Sequence, residues 1–168
     1  MKQLKLGLPK GSLENATISL FEKAGWLIKP AARNYFPEID DPELACSICR
    51  PQEMSRYVES GMLDAGITGK DWTMENMSDT VLVCDLVYSK VSRRPTRWII
   101  AVAGNSEIRT IRDLEGKKIS TELVNVTRRF FEEQKINVEI EFSWGATEAK
   151  VVSGLVDCFA TSVSIALQ

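Results

Sequence analysis

The chain has 168 residues and not one of them is histidine. That absence excludes every nucleophile activated by histidine and every imidazole metal ligand. Any chemistry must then rest on carboxylates, lysine, arginine, backbone donors or a metal that arrives with a ligand. Long hydrophobic runs are missing as well. Nothing approaches the roughly 18–20 apolar residues that cross a bilayer, so no membrane partner is expected. The start, Met1-Lys2-Gln3-Leu4-Lys5-Leu6, carries no long apolar stretch before Pro9, so no secretory signal is expected and the chain reads as cytoplasmic. Charge of one sign is lacking: 21 Lys and Arg face 23 Asp and Glu, a net charge of −2, which gives no basis for a nucleic-acid partner. Cysteine is scarce too. Cys46 and Cys49 form a C-x-x-C without a second pair, and only Cys84 and Cys158 remain. No disulfide scaffold and no resident metal site are expected; the four read as small buried residues.

What is present is ordinary in bulk and specific in detail. A hydrophobic content of 44% and a charged content of 26% suit a soluble globular chain, long enough for one core or two small lobes. The phrase Leu6-Gly7-Leu8-Pro9-Lys10-Gly11-Ser12-Leu13 follows an apolar alternation and precedes an amphipathic stretch. That is the layout of a strand, a glycine turn and a helix N-terminus, which offers backbone N–H groups to an anion. A second phrase, Leu63-Asp64-Ala65-Gly66-Ile67-Thr68-Gly69-Lys70-Asp71-Trp72, follows the same logic. Neither has Walker A spacing, and each alone is equally a glycine-permitted turn.

The periodicity predicts strands at Leu4–Leu8, Ala45–Cys49, Leu63–Ile67, Val81–Tyr88, Arg97–Ala103, Lys118–Thr121 and Val138–Trp144. Helical spacing of Leu13, Ala16, Thr17, Leu20, Phe21 and Ala24 predicts a helix with Ser12 as N-cap and Gly25 just past its end. Pro51 opens a second helix carrying Met54, Tyr57 and Val58, closed by Gly61. Further helices are expected over Ile108–Leu114, Leu123–Gln134 and Ala146–Gly154. Asn34–Pro42 reads as a loop, Cys158–Gln168 as an apolar tail able to form a strand, Trp26, Trp72 and Trp98 as packing residues, and Trp144 as core or cleft wall. Strands alternating with helices give an α/β layered fold.

In parallel sheets a ligand crevice lies beyond the strand C-termini, where Lys10, Arg50 and Lys70 are expected, with Arg33 on a loop able to join them. In the second half, Ser120-Thr121-Glu122 and Ser143-Trp144-Gly145-Ala146-Thr147-Glu148 precede helices. Their hydroxyls either cap those helices or bind a ligand.

Taken in series, Leu6 to Leu13, Arg50-Pro51, Asp64-Ala65-Gly66-Ile67-Thr68-Gly69 and Thr121-Glu122 with Thr127-Arg128-Arg129-Phe130 resemble ATP phosphoribosyltransferase, from about Lys5 to Asp157. The resemblance implies a two-lobed fold like the type II periplasmic binding proteins, with lobes at residues 1–90 and 91–168 and Ser89–Thr96 as the crossover. It implies the first step of histidine biosynthesis, in which N1 of ATP attacks C1′ of phosphoribosyl pyrophosphate and pyrophosphate leaves with Mg²⁺. By resemblance, Lys10, Arg33 and Arg50 neutralise pyrophosphate, and Gly11 and Ser12 give main-chain contacts. Asp64, Ala65, Gly66, Thr68 and Gly69 line the nucleotide side, and Thr121 and Glu122 bind substrate from the second lobe. The family also implies a homo-oligomer.

The resemblance lapses after Asp157. There the family continues with an apolar–acidic strand and a T-x-T-G-x-T-L-like loop that cradles the 5′-phosphate. Here the chain reads Cys158-Phe159-Ala160-Thr161-Ser162-Val163-Ser164-Ile165-Ala166-Leu167-Gln168. The expectation is an altered terminus, an incomplete second lobe without a regulatory domain, and impaired turnover. A non-catalytic binding module, or a fragment that associates with intact subunits, is the alternative.

Overall fold

In the computed structural model, which describes residues 3–29, 35–88 and 96–163, the Leu4, Leu6, Leu8 alternation forms strand β1 (Leu4–Pro9). Helix α1 (Glu14–Ala24) follows, and Gly25 closes it at φ 100° with its N–H returned to Glu22 and Phe21. Helix α1 begins later than expected. Leu13, not Ser12, is the N-cap, because Gly11 turns the chain at φ 93° and the Glu14 N–H bonds back to the Gly11 carbonyl.

Strands β2 (Ile28–Lys29) and β3 (Glu38–Ile39) pair antiparallel, so the span expected to be a loop contains a short ladder. Strand β4 (Leu44–Cys49) lies parallel to β1 over its whole length, from Leu4 opposite Leu44 to Pro9 opposite Cys49. Helix α2 (Pro51–Glu59) starts at its proline, with Arg50 extended in the N-cap position. Strand β5 (Ala65–Gly66) is shorter than the expected Leu63–Ile67, although flanking bonds from Asp64 N–H to Lys5 and from Ile67 N–H to Gly7 continue the pairing. Helix α3 (Lys70–Asn76) completes the first unit, Met1–Arg93, whose three-stranded parallel sheet has the order β4-β1-β5.

Leu8, Ile28, Cys46 and Ile48 form one apolar cluster of this unit, lined by Leu6, Ile18, Phe21, Ile39 and Ile67. Met54 of α2 is fully buried over the paired glycines Gly7 and Gly66. A Cβ at Gly66 would come within 2.7 Å of Met54 Cγ and Sδ, and one at Gly7 would overlap Met54 and Leu63. The absence of two side chains is what lets the helix seat on the sheet. The strand expected over Val81–Tyr88 is not formed. Val81 and Val83 are 88% and 86% exposed, and no ladder partner is present among the described residues. β-branched composition does not make a strand without a neighbour to take its backbone hydrogen bonds.

The second unit, Arg94–Gln168, opens with strand β6 (Arg97–Val102). The helix expected over Ile108–Leu114 narrows to a 3₁₀ turn, Ile111–Leu114, closed by a capping box between Thr110 and Asp113. Strand β7 (Lys118–Thr121), helix α4 (Val124–Gln134), strand β8 (Glu139–Phe142), helix α5 (Thr147–Val152) and strand β9 (Cys158–Val163) follow. The sheet order is β6-β9-β7-β8. The altered tail therefore supplies a central strand, parallel to β7 and antiparallel to β6. Cys158 is fully buried there and joins Leu114, Ile119, Phe131 and Ile136 in the core. Burial pushes its thiol up to about 12, with Asp157 adding to the shift, which makes it an inert packing group.

Candidate anion-binding site

Parallel pairing of β1 with β4 brings the residues that follow them to one sheet edge. Lys10 directly follows β1 and Arg50 directly follows β4, and the Lys10 N–H donates to the Cys49 carbonyl at 2.8 Å. Lys10 is exposed, as is Arg50 at the start of α2. Neither cation has a carboxylate partner within ion-pairing distance among the described residues. The Lys10 ammonium instead donates to the phenol oxygen of Tyr35 at 2.8 Å and lies 4.0 Å from the centroid of its ring. That hydrogen bond, then the lysine's charge, lowers the Tyr35 phenol below its ordinary value; Arg50 adds a smaller effect in the same direction.

The remaining expected residues of this unit fall in different places. Gly11 and Ser12 are exposed in the turn after Lys10, but the Gly11 N–H donates to the Glu14 carboxylate at 3.3 Å. The turn already holds an anion of its own, in the place a phosphate oxygen would take. Arg33 lies outside the described residues. Asp64 is not brought to the cationic edge: its carboxylate accepts the Lys5 N–H at 2.8 Å, beside the N-terminal half of β1. Ala65 and Gly66 form β5, and Gly66 is held by Met54 packing. The Thr68 hydroxyl donates to the Pro51 carbonyl at 2.7 Å, tying the β5–α3 turn to the first residue of α2. Gly69 is the extended N-cap of α3, so Lys70 opens that helix rather than ending a strand.

In the second unit Thr121 is fully buried and its hydroxyl accepts the Leu123 N–H at 3.1 Å, serving the turn into α4. Glu122, half-buried, sits in that turn. Ser120, also fully buried, keeps a hydroxyl with no partner among the described residues. Trp144 is not part of the core. It is 59% exposed at the end of β8, edge-on to Phe142 at 5.1 Å between ring centroids. The reversal that follows, with Gly145 and Ala146 both at positive φ, leads into α5, whose Thr147 and Val151 are buried.

Tyr35 is the residue that sequence reasoning missed. Its only signal was its place beside Arg33 and Asn34 in a polar run; its partner lies 25 positions away.

Comparison with known proteins converges. A family profile described as ATP phosphoribosyltransferase matches residues 50–165. Curated relatives called ATP phosphoribosyltransferase include those of Desulfatibacillum aliphaticivorans, 66% identical, and Solidesulfovibrio magneticus, 67% identical, each over 154 residues covering 92% of this chain. The chain spans about half the length of these relatives, 53% in both cases. Among solved structures, an ATP phosphoribosyl transferase (HisG:HisZ) complex from Thermotoga maritima is similar with a TM-score of 0.78 at 24% identity, over 96% of this chain and 75% of that one. An ancestral arginine-binding protein bound to glutamine matches with a TM-score of 0.55 at 17% identity, over 96% and 70% of the two chains. The α/β fold is thus shared with both transferases and binding proteins of the periplasmic type. No helix among the described residues is long and apolar enough to cross a membrane.

Proposed function

Because the chain belongs to the ATP phosphoribosyltransferase family, we propose that it carries the catalytic part of that activity, the first step of histidine biosynthesis. N1 of ATP attacks C1′ of phosphoribosyl pyrophosphate as the bond from C1′ to the pyrophosphate oxygen breaks. Mg²⁺ enters as part of the substrate, bound to the pyrophosphate. No covalent enzyme intermediate is required, so a chain without histidine can do this chemistry. Catalysis consists of positioning the two reactants and neutralising charge on the leaving group.

The observation that carries the reading is the pair of strand-end cations. Lys10 and Arg50 stand at the same edge of the β4-β1 ladder without carboxylate partners among the described residues. In this reading both face the leaving pyrophosphate, with Arg33 as a third cation. Ser12 and the Gly11 turn contact it once Glu14 releases the Gly11 N–H. Thr68 and Gly69 shape the nucleotide side, while Asp64, Ala65 and Gly66 hold that turn in place from the sheet. Thr121 and Glu122 bind substrate from the second lobe, residues 91–168, and the cations belong to the first lobe, residues 1–90. The 5′-phosphate is the weak point. The glycine-containing loop expected after Asp157 is not found in residues 158–168, where Thr161 and Ser162 follow the buried part of β9. We therefore expect reduced turnover, in a cytoplasmic protein that forms homo-oligomers.

Calorimetric titration with ATP, and separately with phosphoribosyl pyrophosphate and Mg²⁺, tests this. ATP binding together with weak phosphoribosyl pyrophosphate binding is the expected result. Failure of both ligands to bind the folded chain would refute it.

A further inference from the structure

We propose that Tyr35 is a positioning residue for the anion site, its phenol oxygen and ring face holding the Lys10 ammonium at the β1–β4 edge for the diphosphate of an incoming ligand. The identity of that ligand rests on the function proposed above; the placement of Lys10 does not.

The geometry has three parts. Tyr35 is anchored to the sheet through its backbone, because the Ile48 N–H of β4 donates to its carbonyl at 2.7 Å. Its side chain then reaches Lys10, which is fixed in turn by the hydrogen bond from its own N–H to Cys49. Tyrosine and lysine are thus anchored to adjacent residues of the same strand, Ile48 and Cys49, beside Arg50. Tyr35 is 52% exposed, so its ring is not core packing with an incidental polar tip.

The chemistry of the contact explains why a tyrosine suits this place. An ammonium carries three donors, and the phenol uses one of them, leaving two for a ligand. A carboxylate would localise the lysine equally well, but it would cancel the charge that attracts an anion. A neutral phenol and a π-face restrain a four-carbon stem without that cancellation. Among the described residues, the charged groups that face the Tyr35 phenol are Lys10 and Arg50, and both favour its ionised form. A diphosphate that draws the Lys10 ammonium toward itself must weaken that influence, so binding has a spectroscopic trace in the tyrosine.

The test uses the full chain and inorganic pyrophosphate as the probe. The protein has three tyrosines, so Tyr35→Phe identifies one transition in an ultraviolet tyrosinate titration. In wild-type protein the lowest transition should disappear with Tyr35→Phe, rise in Lys10→Ala, and rise when pyrophosphate is bound. Pyrophosphate affinity should fall about tenfold in Tyr35→Ala and about threefold in Tyr35→Phe, where the ring face persists but the acceptor is gone. Partial rescue by phenylalanine separates positioning from a merely structural role. Unchanged or tighter binding in both Tyr35 variants, with Lys10→Ala still defective, overturns this inference and leaves the proposed function standing. No pyrophosphate binding by wild-type protein overturns both, and a tyrosinate titration unaltered by Lys10→Ala overturns the Lys10–Tyr35 contact itself.

Discussion

The strand-end cations of the first unit and the sheet lysines of the second are used in opposite ways. In the first, Lys10 and Arg50 end parallel strands with no carboxylate to satisfy them among the described residues, and Lys10 leans on a neutral phenol. In the second, Lys118 is shared between Glu139 at 3.5 Å and Glu141 at 2.9 Å, Lys150 meets Glu141 at 2.6 Å, and Lys117 meets Asp157 at 3.7 Å. Those lysines stitch β7, β8 and the ends of the neighbouring elements together. The hydroxyl of Thr121, at the end of β7, is likewise committed to the turn into α4. The difference teaches where to look for function in a fold of repeated strand–helix units. Charge left unspent by the structure is available to a ligand, whereas charge paired within the sheet is not.

The comparison can be broken most forcefully at the cores. Phe131→Ala should cost the second unit about 3–5 kcal/mol and Met54→Ala should cost the first about 2–5 kcal/mol, read as urea unfolding followed by residue-resolved amide signals. If the units are separate in their packing, each substitution should melt its own unit first. Met54→Ala should also loosen the Lys10 edge, because Met54 seats α2 over Gly7 and Gly66.

Next in size is the ligand side. Lys10→Ala and Arg50→Ala should each weaken pyrophosphate binding about 10- to 100-fold, the scale of a lost charge-assisted hydrogen bond. Lys118→Ala should leave that affinity within about twofold, since a lysine already paired with two carboxylates has little charge to give. Equal losses in all three variants, measured by calorimetry, would erase the distinction between the units.

The mildest contrast is in acid. Hydrogen bonds from the Arg109 and Thr110 N–H groups lower Asp113, those from Asn137 lower Glu115, and those from Lys150 and Lys118 lower Glu141. In the first unit the Glu43 N–H and the Trp26 indole lower Asp41 in the same way. A folded value below the unfolded one means stability that is complete above the ordinary 3.8 of aspartate and 4.5 of glutamate. That contribution is lost as the pH falls through the folded values. With three such carboxylates in the second unit, its amide signals should broaden or vanish before those of the first as pH is lowered from about 5 toward 3.

Much of this architecture was written locally. The Leu4, Leu6, Leu8 alternation, the glycine past α1, the proline opening α2 and the helix ending at Gln134 all became what they signal. The misreadings share one cause, in that they depend on a neighbour distant in sequence. Val81–Tyr88 has the composition of a strand and no ladder partner among the described residues, while Glu38–Ile39 has little of it and pairs with β2. Ser12 looks like an N-cap, yet the Gly11 turn moves the helix start. At the site, the strand-end positions of Lys10 and Arg50 were legible because each follows an apolar run directly. The commitment of Asp64 to the Lys5 N–H was not legible, because it is a cross-strand contact.

The sequence by itself determined the α/β alternation, the exclusion of histidine chemistry and the order of family motifs. These follow from local periodicity and from which functional groups exist at all. Only the tertiary structure decided that Gly7 and Gly66 make room for Met54, that residues 158–163 form a central strand, and that Tyr35 reaches Lys10. Those outcomes are set by register. Parallel pairing places residues far apart in the chain within a few ångströms, and no local pattern encodes which of them will meet.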